Sequence, residues 1–246
     1  MLFRSAESFG VVVADNYALF VIWTLIIVGG LSLAFSGPTI ERENLPAGEY
    51  YALMLFSLAG MMLMAMATDL LVIFLALEVL SLAIYVLTGI RRDSPVATEA
   101  AFKYFLLGAF ASAFFLYGIA FTYGLAGSTH IDRVAALFSS QANAPGAVHL
   151  LAIGLLMVGF AFKVSAVPFQ FWAPDTYEGS PVPVAAFLAT ASKAAGFAGL
   201  LQVMFVAFPA QHAFWAPVFA ALSIATMTIG NLVALQQRQV VRLLAY

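Results

Sequence analysis

The stretch Val158–Phe197, VGFAFKVSAVPFQFWAPDTYEGSPVPVAAFLATASKAAGF, decides the fold. It sets two lysines, Lys163 and Lys193, in runs that otherwise have the composition of lipid-soluble helix. Between them lie the helix-breaking Pro168 and a short acidic loop, Trp172–Gly179. A lysine at the centre of a membrane helix costs roughly 2.5–3.5 kcal/mol on insertion scales. Two of them side by side answer to something other than stability, and the rest of the chain is a frame around these charges.

The chain has 246 residues, 63% hydrophobic and 9% charged, against roughly a quarter charged in an ordinary soluble domain. That contrast predicts an all-α, polytopic bundle of membrane helices. With no cysteine, the chain holds no disulfide, Fe–S cluster or Cys-ligated metal. A net charge of -2 gives no reason to expect nucleic acid as a partner. Met1–Gly10 carries Arg4 and Glu7 and lacks the apolar core of a signal peptide. The cations sort by type: every arginine (Arg4, Arg42, Arg91, Arg92, Arg133, Arg238, Arg242) flanks an apolar run, and every lysine (Lys103, Lys163, Lys193) lies inside one. Arginine is always charged, whereas a buried lysine can give up its proton.

Apolar runs of spanning length fall at 17–35, 50–67, 70–89, 96–123, 148–173, 181–207 and 214–236. Ahead of them, Phe9–Asp15 has a Val-Val-Val core that suits a short extended segment. Asp15 or Asn16 caps the first helix, Gly37-Pro38 ends it, and Glu41–Glu49 is a loop. Asp69 caps the third helix, Ser94-Pro95 starts the fourth, and Ser180-Pro181 repeats that arrangement at the sixth. Ile131–Phe138 is a weakly amphipathic turn suited to the interface. Past Gln236–Arg242 a new apolar run begins at Leu243, so the sequence reads as a piece of a longer protein. Loops after the first, third, fifth and seventh helices hold Arg42, Arg91, Arg92, Arg238 and Arg242. The positive-inside rule places that face in the cytoplasm and the N-terminus outside.

Counting 1.5 Å per residue from the cytoplasmic helix ends puts Glu78 about 16 Å deep, Lys103 about 12 Å, Lys163 about 15 Å and Lys193 about 18 Å. All four fall near the midplane of a hydrocarbon core about 30 Å thick. Glu78 and Lys103 match in depth and lie on adjacent helices, which predicts an ion pair. The plainer alternatives are a protonated Glu78 in one interhelical hydrogen bond and a Lys103 that snorkels to the interface. Pro168 predicts a break after Lys163, with Val164 and nearby carbonyls facing a hydrated cavity; a simple packing kink is the alternative. Ala191, Ala195 and Gly199 let a neighbouring helix approach Lys193. Asp175 and Glu178 read as solvated loop residues or helix caps. His130, His149 and His212 show no ligand spacing, which argues against a metal site, and Met61, Met62, Met64 and Met66 read as packing. Phosphate loops, nucleophile–base pairs and redox motifs are missing from the sequence.

The stretch FKVSAVPFQFWAPDTYEGSPVPVAAFLATASKAAGF resembles the N-subunit family of bacterial respiratory complex I, the proton-pumping NADH:quinone oxidoreductase. LEVLSLAIYVLTG around Glu78 and FKYFLLGAFASAFFLYG around Lys103 are similar to the same family, and PDTYEGSPVPV favours it over the M and L paralogues. The resemblance implies an antiporter-like fold of two inverted five-helix repeats. Residues 1–49 would hold a surface segment and the first helix, 50–207 one complete repeat, and 208–246 the start of a second. It also implies that Glu78, Lys103, Lys163 and Lys193 belong to a proton-relaying axis. NAD, FMN, Fe–S clusters and quinone would belong to partner subunits, with the other complex I membrane subunits and the lipid of a bacterial inner membrane around the chain. Gln170 departs from the histidine that many members carry after Pro-Phe, which leaves its role open. Two rival readings share these residues: an Mrp-type cation/proton antiporter subunit, and a structural scaffold whose charges only lock helices together.

Overall fold

The computed structural model describes residues 6–8, 10–140 and 146–246. Strands β1 (Ala6–Ser8) and β2 (Val12–Ala14) pair antiparallel, with Ala6 opposite Ala14. The Val-Val-Val segment is therefore one arm of a small hairpin, pinned where the Thr68 amide donates to the Val11 carbonyl at 2.9 Å. Arg4, assigned to the outer face from sequence, lies outside the described residues.

The longer elements that follow among the described residues are helices: α1 (Asn16–Ala34), α2 (Gly37–Arg42), α3 (Ala47–Met66), α4 (Leu70–Thr88), α5 (Pro95–Ala126), α6 (Ile131–Ser140), α7 (Ala147–Val164) and α8 (Trp172–Gly179). The next span runs through α9 (Val182–Phe187), a π-turn at Leu188–Ser192, α10 (Lys193–Gln202) and a second π-turn at Val203–Ala207. After it come α11 (His212–Ala234) and the short α12 (Val240–Ala245). Among the described residues, seven segments are long and apolar enough to cross a membrane: Asn16–Arg42, Ala47–Met66, Leu70–Thr88, Pro95–Ala126, Ala147–Val164, Val182–Ala207 and Pro209–Ala234. Large side chains such as Phe20, Trp23, Phe102 and Phe110 stay exposed on the outside of the bundle, as expected of surfaces whose solvent is lipid.

Local signals set the starts of α1, α4 and α5. Asp15 accepts from the Ala18 amide at 2.7 Å, Asp69 from Leu71 at 2.8 Å and Ser94 from Ala97 at 3.3 Å, each satisfying an otherwise orphaned donor. Two expectations change. Gly37-Pro38 does not close the first span but opens α2, since proline suits a first turn, and the polar loop starts only after Arg42. Ser180 does not cap the following helix; its hydroxyl donates back to the Thr176 carbonyl at 2.6 Å and so closes α8.

The helix pairs sit close where a glycine removes the side chain. A Cβ on Gly60 of α3 would lie 2.7 Å from the Leu80 amide nitrogen and 2.9 Å from the Ala76 carbonyl of α4. A Cβ on Gly118 of α5 would lie 2.9 Å from the Leu156 nitrogen and 3.0 Å from the Ala152 carbonyl of α7. Backbone thus meets backbone, the contact that small residues make possible in membranes. At one end of the bundle Arg91 donates to the Gly179 carbonyl at 2.6 Å and Arg92 pairs with Glu49 at 3.3 Å. At the other end the Thr129 hydroxyl donates to Asp69 at 2.7 Å, which ties the segment before α6 to the α3–α4 turn. α6 buries Ile131, Val134 and Phe138 on one face.

Candidate functional site

The site grows from the end of α7. That helix stops at Val164, four residues before Pro168, because Ser165 adopts a left-handed conformation (φ 59°, ψ 40°). The Ala166 amide reaches back to the Ala161 carbonyl at 2.8 Å and the Ser165 amide to Phe162 at 3.0 Å, the paired bonds of a Schellman ending. Such an ending leaves late carbonyls without helical partners. One side chain takes the Lys163 carbonyl, and a second adds a donor to the Phe162 carbonyl that the Ser165 amide already bonds. The Lys193 ammonium donates to the Lys163 carbonyl at 3.2 Å, and the Trp172 indole donates to the Phe162 carbonyl at 3.1 Å. Direct protein donors thus meet two carbonyls at the break, those of Phe162 and Lys163. Pro168 lies in the turn between α7 and α8, which suits a residue that cannot extend a helix. Gln170 is buried in the same turn.

Lys163 is 2% exposed. Its ammonium donates to the Ser81 hydroxyl on α4 at 3.0 Å, as a buried charge demands a partner. A Cβ on Gly196 would come within 3.1 Å of the Lys163 Cγ, so a glycine there lets α10 lie against the lysine stem. Lys193 also donates to the Ser165 hydroxyl and sits 4.4 Å from the Trp172 ring centroid, a cation–π distance. Trp172 is held in turn by Tyr104, stacked at 4.3 Å and 8°. Glu78, three residues before Ser81 on the same face of α4, accepts from the Ser112 hydroxyl of α5. Ser81, Ser112 and Lys163 line one cavity of about 10 Å³.

Glu78, Lys163 and Lys193 thus fall into one neighbourhood, and Lys103 does not. Its ammonium pairs with Glu99 at 2.6 Å and Asp175 at 2.9 Å, and its side chain is 45% exposed. The predicted Glu78–Lys103 ion pair is not formed. Ser112, which holds Glu78, lies nine residues further along α5, about 13 Å of helical rise from Lys103. Depth counting failed because α5 has 32 residues and α4 has 19, so positions equally far from their helix ends are not level.

Asp175 and Glu178, read from sequence as solvated or capping, are instead ligands of a charge cluster. Arg242 of α12 donates to Asp175 at 2.8 Å and to Glu178 at 2.6 Å. Partial burial works to raise the Asp175 pKa, but the hydrogen bonds from Lys103 and Arg242 outweigh it and hold the carboxyl below the usual range. A depressed carboxylate stabilises the fold above its unfolded value of about 3.9 and loses that contribution as pH falls below it. The cluster therefore stays intact at neutral pH. In thermal-stability cycles on the purified protein, the losses from Lys103→Ala and Asp175→Asn should not add, whereas those from Lys103→Ala and Glu78→Gln should. Coupling in the second cycle would restore the ion pair that the geometry denies.

Sequence reasoning missed Ser81, Ser112, Ser165, Trp172, Gly196 and Arg242. For Ser81 the signal was present: a hydroxyl three residues from an intramembrane carboxylate shares its face. For Arg242, some 64 residues from Glu178, no local pattern carries the contact. The histidines are dispersed, with His149 packed on Phe138 and His212 on Trp215.

Comparison with known proteins adds four findings. Residues 67–246 match the family described as NADH:quinone oxidoreductase/Mrp antiporter, TM. NADH-quinone oxidoreductase subunit N of Trichlorobacter lovleyi is 46% identical over 235 residues, covering 96% of this chain and 48% of that protein. A chain of respiratory complex I from Thermus thermophilus, solved with bound aureothin, superposes with a TM-score of 0.80 at 39% identity, over 98% of this chain and 50% of that one. A chain of the Mrp complex from Dietzia shares the fold with a TM-score of 0.79 at 23% identity, over 95% of this chain and 43% of that one. The chain spans about half the length of the curated relatives it matches.

Proposed function

The chain belongs to the NADH:quinone oxidoreductase/Mrp antiporter transmembrane family, and on that premise we propose that it relays protons as a membrane subunit of complex I. The observation that carries this reading is the meeting of two lysines at a broken membrane helix. Lys163 is enclosed at the break with its ammonium on Ser81, and Lys193 bonds the carbonyl of that same lysine. Such an arrangement is costly in lipid and adds nothing that apolar packing would not supply.

In this reading Lys163 is the central proton carrier, Lys193 passes protons along the membrane plane, and Glu78 sets the electrostatics of Lys163 from α4. Lys103 belongs to the same axis at its edge, through Asp175 and not through Glu78. Residues 50–207 form one antiporter-like repeat and 208–246 open the next. Electron transfer from NADH through flavin and Fe–S clusters to quinone takes place in partner subunits, and the chain couples to it through the neighbouring membrane subunits. The arginine-rich end faces the cytoplasm of a bacterial cell, and the N-terminus faces outward.

Inverted membrane vesicles from cells making the whole complex test both parts. NADH oxidation should acidify the vesicle interior, and Arg92→Cys should react with an impermeant maleimide in inverted vesicles but not in intact cells. Sodium-driven proton exchange without NADH would favour the Mrp-type reading. Labelling of Arg92→Cys in intact cells would reverse the orientation.

A further inference from the structure

Resting on the relay reading above, we infer that the hydroxyls of Ser81 and Ser112 form the proton bridge between Lys163 and Glu78. The evidence is geometric. Ser81 accepts from the Lys163 ammonium at 3.0 Å, which leaves its own hydroxyl hydrogen free to turn elsewhere. Ser112 donates to the Glu78 carboxylate from the opposite helix. Both hydroxyls and Lys163 line the same cavity, whose other walls include Leu77, Phe115 and Phe162. At about 10 Å³ it is near the least space that holds one water. The Tyr85 phenol also lines it, and the rest of the wall is apolar, so the two serine hydroxyls, that phenol and the Lys163 ammonium are the groups that a water there bonds.

The transfer balances with one water as co-reactant. Lys163 Nζ gives a proton to Ser81 Oγ while Ser81 passes its own hydroxyl proton to the water. The water releases a proton to Ser112 Oγ, and Ser112 gives its hydroxyl proton to Glu78 Oε1. One N–H bond breaks and one carboxyl O–H bond forms, every intervening oxygen gives and gains one proton, and no electron moves. The pair passes from ammonium and carboxylate to amine and carboxylic acid. Reversal returns the proton. Glu78 and Lys163 thereby exchange charge without touching, which neither a direct ion pair nor two isolated hydrogen bonds would allow.

Ser112→Thr and Ser112→Val, made in the whole complex and measured in inverted vesicles, test the bridge, because the two side chains match in shape and differ by the hydroxyl. With equal amounts of assembled complex, Thr should retain NADH-driven pumping and Val should lose it roughly tenfold, as expected when a hydrogen bond to a charged group is removed. A Val variant that pumps as fast as Thr overturns the bridge. Should the added methyl stop both, Ser112→Ala decides: a roughly tenfold loss supports the bridge and a native rate overturns it. Lys163→Ala in parallel separates the two levels. If it is silent while the Val variant pumps, the lysine relay stands and only the hydroxyl path falls; if it pumps normally, both fall.

Discussion

Replacing Lys163 with alanine is expected to cut proton pumping by about a hundredfold or more, the scale of losing a positioned acid–base group, while the complex still assembles. The two halves of that expectation rest on different magnitudes. Lysine at the centre of a membrane helix is disfavoured by roughly 2.5–3.5 kcal/mol, a cost that alanine removes. The lost hydrogen bond to Ser81 leaves one buried hydroxyl without its donor, a penalty of about 1–3 kcal/mol. The two nearly cancel, so stability gives no reason for the variant to fail to assemble. A scaffold reading expects the reverse, with poor assembly and normal turnover in whatever complex remains. Quantifying the complex in native gels beside NADH-driven acidification of vesicles separates them.

A large effect on stability is expected at Gly60, where backbone meets backbone. A Cβ there meets backbone atoms of α4 at 2.7 and 2.9 Å, and backbone in the middle of a packed helix cannot rotate away. At Gly154 of α7 a Cβ would meet nothing within 4 Å. Gly60→Ala and Gly154→Ala gain the same helical propensity, about 1 kcal/mol, so their difference isolates the packing. Overpacking of this kind costs about 1–3 kcal/mol, and thermal unfolding in detergent should place Gly60→Ala well below Gly154→Ala. Equal melting temperatures would mean that α3 and α4 can separate without cost.

What the sequence made legible was whatever depends on local chemistry. The seven spans follow from apolar length, and Asp15, Asp69 and Ser94 cap the helices they precede because a short polar side chain before an apolar run has an amide within reach. The interruption between Lys163 and Pro168 is also local, although a left-handed Ser165 ends the helix earlier than the proline ring alone would require. Contacts that depend on how far one helix slides past another were not legible. Lys103 was matched to Glu78 by counting from helix ends, and the great length of α5 carried it instead to Asp175. Arg242 reaches Asp175 and Glu178 across the bundle, a pairing that no spacing along the chain encodes. Ser81 and Ser112 were passed over because a lone serine in a membrane helix usually bonds its own backbone, as Ser32 does to the Val28 carbonyl at 2.9 Å.

The relay requires a group at position 163 that can both hold and release a proton, and Lys163→Arg tests that requirement alone. Arginine keeps the positive charge and can still donate to Ser81, but it does not give up its proton in a protein. Proton translocation driven by NADH should be measured in vesicles with equal amounts of native and Lys163→Arg complex. Translocation reduced nearly to that of Lys163→Ala is the expected result; pumping at the native rate would show that a fixed positive charge suffices and contradict the relay.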